Sequence, residues 1–283
     1  MNNKRKFSLT IYLLIVFTLS WPFQIVSAIW AKSLPTLFLL NSISMIMVAV
    51  GTFIAGKYVF GDGFAGMGWR WGRLKYHLAV IGLAALLWIV PTIIDLVMGT
   101  LKLPNDLQPI RFGLIFLFPV ITLLPGFGEE FGWRGYMLPR LALKHTGRKA
   151  VLLHCIIWWA WHWPLLIGLG TRLGMATAAQ QTELSAGIYI SIVAAGTVIA
   201  SALPAIMHGV VFAYIWMRSR SLAVATVYHA TYDGFRDSIG TIVGLGPIAG
   251  AWANVVLIFL GITLLWKADW SVLSNNSELK KEA

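Results

Sequence analysis

Hydrophobic residues run along this chain in blocks of roughly 20, the length of a membrane-spanning helix, separated by short polar stretches. Taken in order, the blocks predict helices over about 7–30, 35–56, 76–99, 111–126, 149–169, 186–217, 221–234 and 247–266, the seventh being short. Between the fourth and fifth, residues 129–144 read as a further helix, with Phe131, Met137, Leu138 and Leu141 on one side and basic residues on the other. Such a helix is expected to lie at, or dip into, the membrane interface. The expected fold class is all-α: one polytopic membrane domain over 1–283, with about eight transmembrane helices and an interfacial helix before the fifth span.

The loops test this count, because short cytoplasmic loops are rich in Lys and Arg. Assigned alternately, one set of loops takes most of the 22 Lys and Arg, and the other takes only Lys32, Lys102, Arg111, Arg172 and Arg236. Both termini are therefore expected in the cytoplasm, and a count of seven would scramble the bias in the last loops. The first block follows the basic run Lys4-Arg5-Lys6, but it is too long for a signal peptide and is read as a retained helix.

Composition agrees: 58% hydrophobic against 12% charged residues, with mean hydropathy +0.75, belongs to an integral membrane protein and not to a soluble domain. The net charge of +11 would suit nucleic acid, but it is spread over short loops, so membrane lipids are the expected surroundings and nucleic acid is not an expected partner. Cys155 is the single cysteine, so no intrachain disulfide can form.

Against this background the stretch Phe127-Gly128-Glu129-Glu130-Phe131-Gly132-Trp133-Arg134 stands out, because ionisable groups at membrane depth are costly unless they are paired or hydrated. Glu130 and Arg134 have i, i+4 spacing and can pair on one helix face. Glu129 is turned about 100° away and is left outside that contact. This divides the labour: Glu130 is held ionised as a structural partner, while Glu129 suits a general base. A solvated ion pair on an interfacial helix would account for the spacing equally well. His162 lies in the fifth block, with Trp158 one turn before it on the same face; a packing histidine is the alternative. His229 and Asp233 repeat the i, i+4 spacing in the short seventh block. Measured from the helix ends, His229 and His162 fall deeper than Glu129, so the three meet only if the Glu129 helix dips inward or the fifth span begins before Lys149.

Glu-Glu-x-x-x-Arg, then aromatic-x-x-x-His, then His-x-x-x-Asp, in this order across about 114–233, resembles the CPBP family of intramembrane proteases, which includes the Ras-converting CAAX endoprotease and bacterial proteins linked to bacteriocin processing or immunity. The resemblance implies a catalytic core in that segment and an endopeptidase acting near the cytoplasmic face on a peptide or lipidated protein. It implies that Glu129 and His162 activate a water, while His229 and Asp233 line the oxyanion side. Two residues depart from the pattern. Trp158 stands for the usual Phe, which keeps an aromatic wall and is expected to matter little. Asp233 stands for the usual Asn, and an ionised carboxylate cannot donate to an oxyanion. Asp233 is then protonated, orients His229, or joins Glu129, His162 and His229 around a zinc ion; catalysis without metal is the expectation. A non-catalytic scaffold or immunity protein of the same fold is the alternative from another class. A proton-coupled transporter is a third, weakened by the lack of an inverted repeat. Of the remaining residues, His154 and His208 are secondary candidates for the cavity, His77, His145 and Asp95 are read as interfacial, and Arg218 and Arg220 as topology anchors.

Overall fold

The computed structural model describes residues 6–31, 33–181 and 183–274. Lys4, Arg5, Lys32 and the polar tail from 275 onward, on which part of the topology reading rests, lie outside them. All regular elements among the described residues are helical, as a chain that must satisfy its own backbone in lipid requires. The helices are α1 (Leu9–Trp30), α2 (Leu34–Ile54), α3 (Leu74–Met98), α4 (Leu114–Glu130), α5 (Leu138–Lys144), α6 (Gly147–Trp161), α7 (Trp163–Thr177), α8 (Ala186–Ser219), α9 (Leu222–Ile242), α10 (Pro247–Lys267) and the short α11 (Ser271–Ser274). Several starts are set locally: the Ser221 hydroxyl accepts the Val224 N–H at 3.2 Å at the head of α9, and Ser33 with Pro35 opens α2.

Six helical runs are long and apolar enough to cross a membrane, and the pair α6 and α7 makes a seventh if counted as one span. The chain is an integral membrane protein by this measure. The expected eighth span corresponds to α9, which has the length, 21 residues, but not the apolar character. It packs between α4 and α3 and is buried along much of its length.

Four expectations change. The separate interfacial helix over 129–144 is not seen: α4 continues through a π-helical turn, Phe131–Met137, into α5 as one run from Pro109 to Lys144. Two of its three basic residues are not on a wet face: Arg134 and Arg140 are buried, and only Lys144 at its end is exposed. Arg140 is held by Asp62 at 2.7 Å and by the carbonyls of Tyr136 and Gly63, and an arginine so paired can be enclosed. The fifth span is not continuous: it breaks at His162, where Pro164 in the first turn of α7 lacks an N–H to carry the ladder on, and the axis bends by 48°. The seventh block does not end at Gly234; Arg236 is inside α9 and not in a loop, because Asp233 and Asp237 neutralise it. Asp95, three residues from the end of α3, is not open to an interface either. It is fully buried and accepts the N–H groups of Ile248 and Ala249, at 3.2 and 2.8 Å, so it caps the first turn of α10.

Candidate active site

The centre of the molecule is built where the long run from Pro109 to Lys144 is wedged between α2 and α9. Glycines make the approach close enough. A Cβ at Gly128 would lie 2.6 Å from the Met45 carbonyl oxygen of α2, and one at Gly132 would lie 2.7 Å from the Thr52 hydroxyl. Tyr12 closes this side by donating to the Gly132 carbonyl at 3.0 Å within the π-helical turn. Glu129 and Glu130 are the last residues of α4, immediately before that turn, and both are buried. π-helical turns inside α-helices recur at functional sites.

The depth mismatch in the sequence resolves through helix geometry. Glu129 stands fifteen residues before Lys144 and His162 fifteen after Gly147, so at 1.5 Å per residue each is about 22 Å from the same end of the bundle. α9 starts far inside that end, because Leu222 lies against Gly135, where a Cβ would be 3.0 Å from Leu222 Cδ2. That sunken start adds about 13 Å to the roughly 10 Å from Leu222 to His229, which brings His229 level with the other two. A loop after α2 supports the sunken turn: Ser221 donates its hydroxyl to the carbonyl of Arg70 at 2.6 Å, and Leu222 donates its N–H to Gly68 at 2.9 Å. Gly68 holds φ of +86° with the Arg220 carbonyl packed against it, a conformation and a space open to glycine alone.

At this level the titratable groups form a chain of alternating charge. Arg134 Nη1 donates to Glu130 Oε1 at 2.9 Å, and the same oxygen lies 2.8 Å from His229 Nδ1. His229 Nε2 faces Asp233 Oδ2 at 3.4 Å, Arg236 Nη1 holds Asp233 Oδ1 at 2.8 Å, and Arg236 Nε donates to Asp237 at 2.7 Å. The Arg134 guanidinium also lies against the rings of Trp158 and Phe212, at 4.7 and 4.2 Å, and the two rings pack on each other beside it. The i, i+4 pairing of Glu130 with Arg134 is thus present, as is the shared face of His229 and Asp233.

Glu129 stands outside this chain. Its Oε2 accepts the Trp158 indole N–H at 2.8 Å, and no cation pairs with it among the described residues. Trp158 also accepts, through its carbonyl, a hydrogen bond from His162 Nδ1 at 2.7 Å, and its ring packs edge-on to the His162 ring at 4.7 Å. A carbonyl can only accept, so Nδ1 carries the proton and the neutral ring presents Nε2 as an acceptor. Trp158 is therefore more than an aromatic wall. It binds both Glu129 and His162, and the substitution expected to matter little supplies a donor that phenylalanine lacks.

His208 lies beside the chain, 3.1 Å from the Tyr228 hydroxyl and against the Tyr232 ring. His154 is buried one turn before Trp158 and lies next to Cys155. A zinc ion held by Glu129, His162, His229 and Asp233 would need two of these residues to change partners. Both nitrogens of His229 and both oxygens of Asp233 are turned to other side chains, while His162 leaves Nε2 open. Among the described residues no three His, Cys, Asp or Glu side chains gather as a metal site.

Sequence reasoning missed Arg236, which looked like a loop cation, and the donor role of Trp158. The signal for Arg236 was present as Asp233, Arg236 and Asp237 at i, i+3 and i+4, a self-neutralising helical triplet.

Comparison with known proteins converges on the same segment. Residues 111–235 match the family described as Type II CAAX prenyl endopeptidase Rce1-like. A stretch of 68 residues is 34% identical to "CAAX prenyl protease 2" of Methanococcus maripaludis, covering 24% of this chain and 22% of that protein. The chain thus spans about a fifth of that relative's length in the match. The family match begins just before α4 and ends two residues after Asp233, enclosing Glu129, Glu130, Arg134, Trp158, His162, His229 and Asp233. Over this segment the chain is similar to the CAAX proteases of the CPBP family.

Proposed function

We propose that this protein is a CAAX-type intramembrane endopeptidase in which Glu129 is the general base, assisted by His162, and no metal takes part. The observation that carries the reading is the isolation of Glu129. Glu130 and Asp233 spend their charge on Arg134, His229 and Arg236, whereas Glu129 has only a neutral indole donor and is free to take a proton. Trp158 ties His162 to Glu129, and with Nε2 as the second acceptor one water between them can give a hydrogen bond to each.

In the reaction, Glu129 removes a proton from that water as its oxygen attacks the scissile carbonyl carbon, and the C=O pair moves onto oxygen. When the tetrahedral intermediate collapses, the C–N bond breaks and the proton on Glu129 passes to the departing amine. Glu130 and Arg134 hold His229 from the α4 side, and Asp233 holds it from α9. The substrate is a peptide or lipidated protein reaching the site from the surrounding bilayer. Both termini lie in the cytoplasm in this reading, which cysteine labelling checks: Glu183 and Gly244, in the loops after α7 and α9, should react from outside only.

The test is hydrolysis of a quenched farnesylated peptide by the purified protein in lipid nanodiscs. Cleavage that disappears in Glu129→Ala supports the assignment. Cleavage unchanged in that variant overturns it, and no cleavage by the unaltered protein returns the scaffold reading.

A further inference from the structure

We propose that Arg236 supplies the hydrogen-bond donor for the substrate's carbonyl oxygen that Asp233 cannot supply, so that Asp233 and Arg236 act as one unit. This rests on the endopeptidase reading above. The tetrahedral intermediate places a negative charge on the former carbonyl oxygen, and an N–H or O–H must meet it. Asp233 is one turn beyond His229 on the same face, yet its carboxylate can only accept, and both its oxygens are engaged: Oδ2 faces His229 at 3.4 Å and Oδ1 is held by Arg236 at 2.8 Å.

Arg236 is the donor next in line. A guanidinium has five N–H groups in a fixed fork. Nη1 is spent on Asp233 and Nε on Asp237, while Nη2 has no hydrogen bond among the described residues. Its side chain is 37% exposed, whereas Arg134, at the other end of the charge chain, is fully buried. Arg236 therefore has both an unspent donor edge and a side that is not sealed by the protein.

The local charge decides what kind of oxygen it meets. Asp233, Arg236 and Asp237 together carry one negative charge, which repels a free carboxylate from the medium. A neutral carbonyl oxygen meets no such penalty when it arrives, and it gains from the guanidinium as charge develops on it. Asp233 then has two tasks, to hold His229 and to keep the guanidinium in place.

Three variants, each checked for an unchanged melting temperature in detergent, test this with the farnesylated peptide. Arg236→Met removes the donor and leaves Asp233 uncompensated, so kcat should fall on the order of 10²-fold or more, with KM little changed. Adding Asp233→Asn to Arg236→Met removes the stranded charge and brings an amide N–H to the same place. That double variant should recover at least tenfold of the lost kcat. A peptide aldehyde, whose hydrate imitates the tetrahedral intermediate, should lose affinity in Arg236→Met, while the uncleaved peptide bound to the Glu129→Gln background should not. Unchanged kcat in Arg236→Met, or a double variant no better than the single, overturns the role of Arg236 while leaving the endopeptidase reading intact. An unaltered protein that hydrolyses nothing overturns both.

Discussion

His229 is flanked by two carboxylate–arginine pairs that look alike in chemistry and differ in surroundings. On the α4 side, Glu130 and Arg134 are both completely buried, and two aromatic rings pack against the guanidinium. On the α9 side, Asp233 and Arg236 bond at a similar distance, but their side chains are 20% and 37% exposed. A sealed pair cannot lose a partner without stranding a charge in a medium that solvates it poorly, so its value is structural. A half-open pair tolerates change and keeps donors for a visitor. The same contrast separates the adjacent carboxylates of α4: Glu130 is held by both Arg134 and His229, while Glu129, one residue earlier, makes no ion pair among the described residues.

This comparison is broken or sharpened most strongly at Glu129. Glu129→Gln should reduce kcat about 10²–10⁴-fold while the melting temperature stays within a degree or two, because no ion pair is lost. A large drop in melting temperature there would place Glu129 with the structural pair and remove the distinction. Glu130→Gln should do the opposite in kind, costing about 3–5 kcal/mol of stability by releasing Arg134 in the interior, with activity falling as a consequence. Chemical denaturation in mixed micelles measures it, and equal melting shifts for the Glu129 and Glu130 variants would contradict the division.

Trp158→Phe keeps an aromatic ring beside Arg134 but deletes the N–H to Glu129 together with part of the indole. A hydrogen bond to a charged group is worth about 1.5–3 kcal/mol, so kcat should fall roughly 10- to 100-fold with stability nearly preserved. A rate equal to that of the unaltered protein would reduce Trp158 to packing. Gly128→Ala tests the scaffold that holds the pair of carboxylates. The new methyl meets the Met45 carbonyl, which belongs to backbone and cannot swing aside, so a loss of about 1–3 kcal/mol is expected. The smallest effect is expected from chelation. Prolonged EDTA or phenanthroline treatment should leave hydrolysis unchanged, and the protein should purify without stoichiometric zinc; loss of activity restored by zinc would mean that His229 and Asp233 let go of their present partners to bind it.

Much of this was legible in the sequence. Blocks of apolar residues define the helices because the bilayer sets their length, and i, i+4 spacing placed Glu130 on Arg134 and His229 on Asp233 because helix geometry leaves no choice. The order of the three short motifs identified the family segment. Local pattern also marked Glu129 as the odd carboxylate, since a residue 100° from an ion pair cannot share it.

Three features lay beyond it, each for a physical reason. Residues 129–144 look amphipathic when solvent is assumed around them, but Trp158 and Phe212 cover Arg134 and Asp62 holds Arg140, and only the packed partners reveal that. The levelling of Glu129, His162 and His229 depends on α9 beginning deep in the bundle against Gly135, a contact between segments nearly ninety residues apart that no local spacing encodes. The donor given to Glu129 by Trp158 comes from another helix, and its sequence position shows an aromatic ring without showing where the ring's N–H points. Sequence by itself determined which residues share a helix and which face they occupy, because those follow from backbone geometry within one element. Tertiary structure alone decided which faces meet and which charges are sealed, because burial and partner choice are properties of several helices packed together.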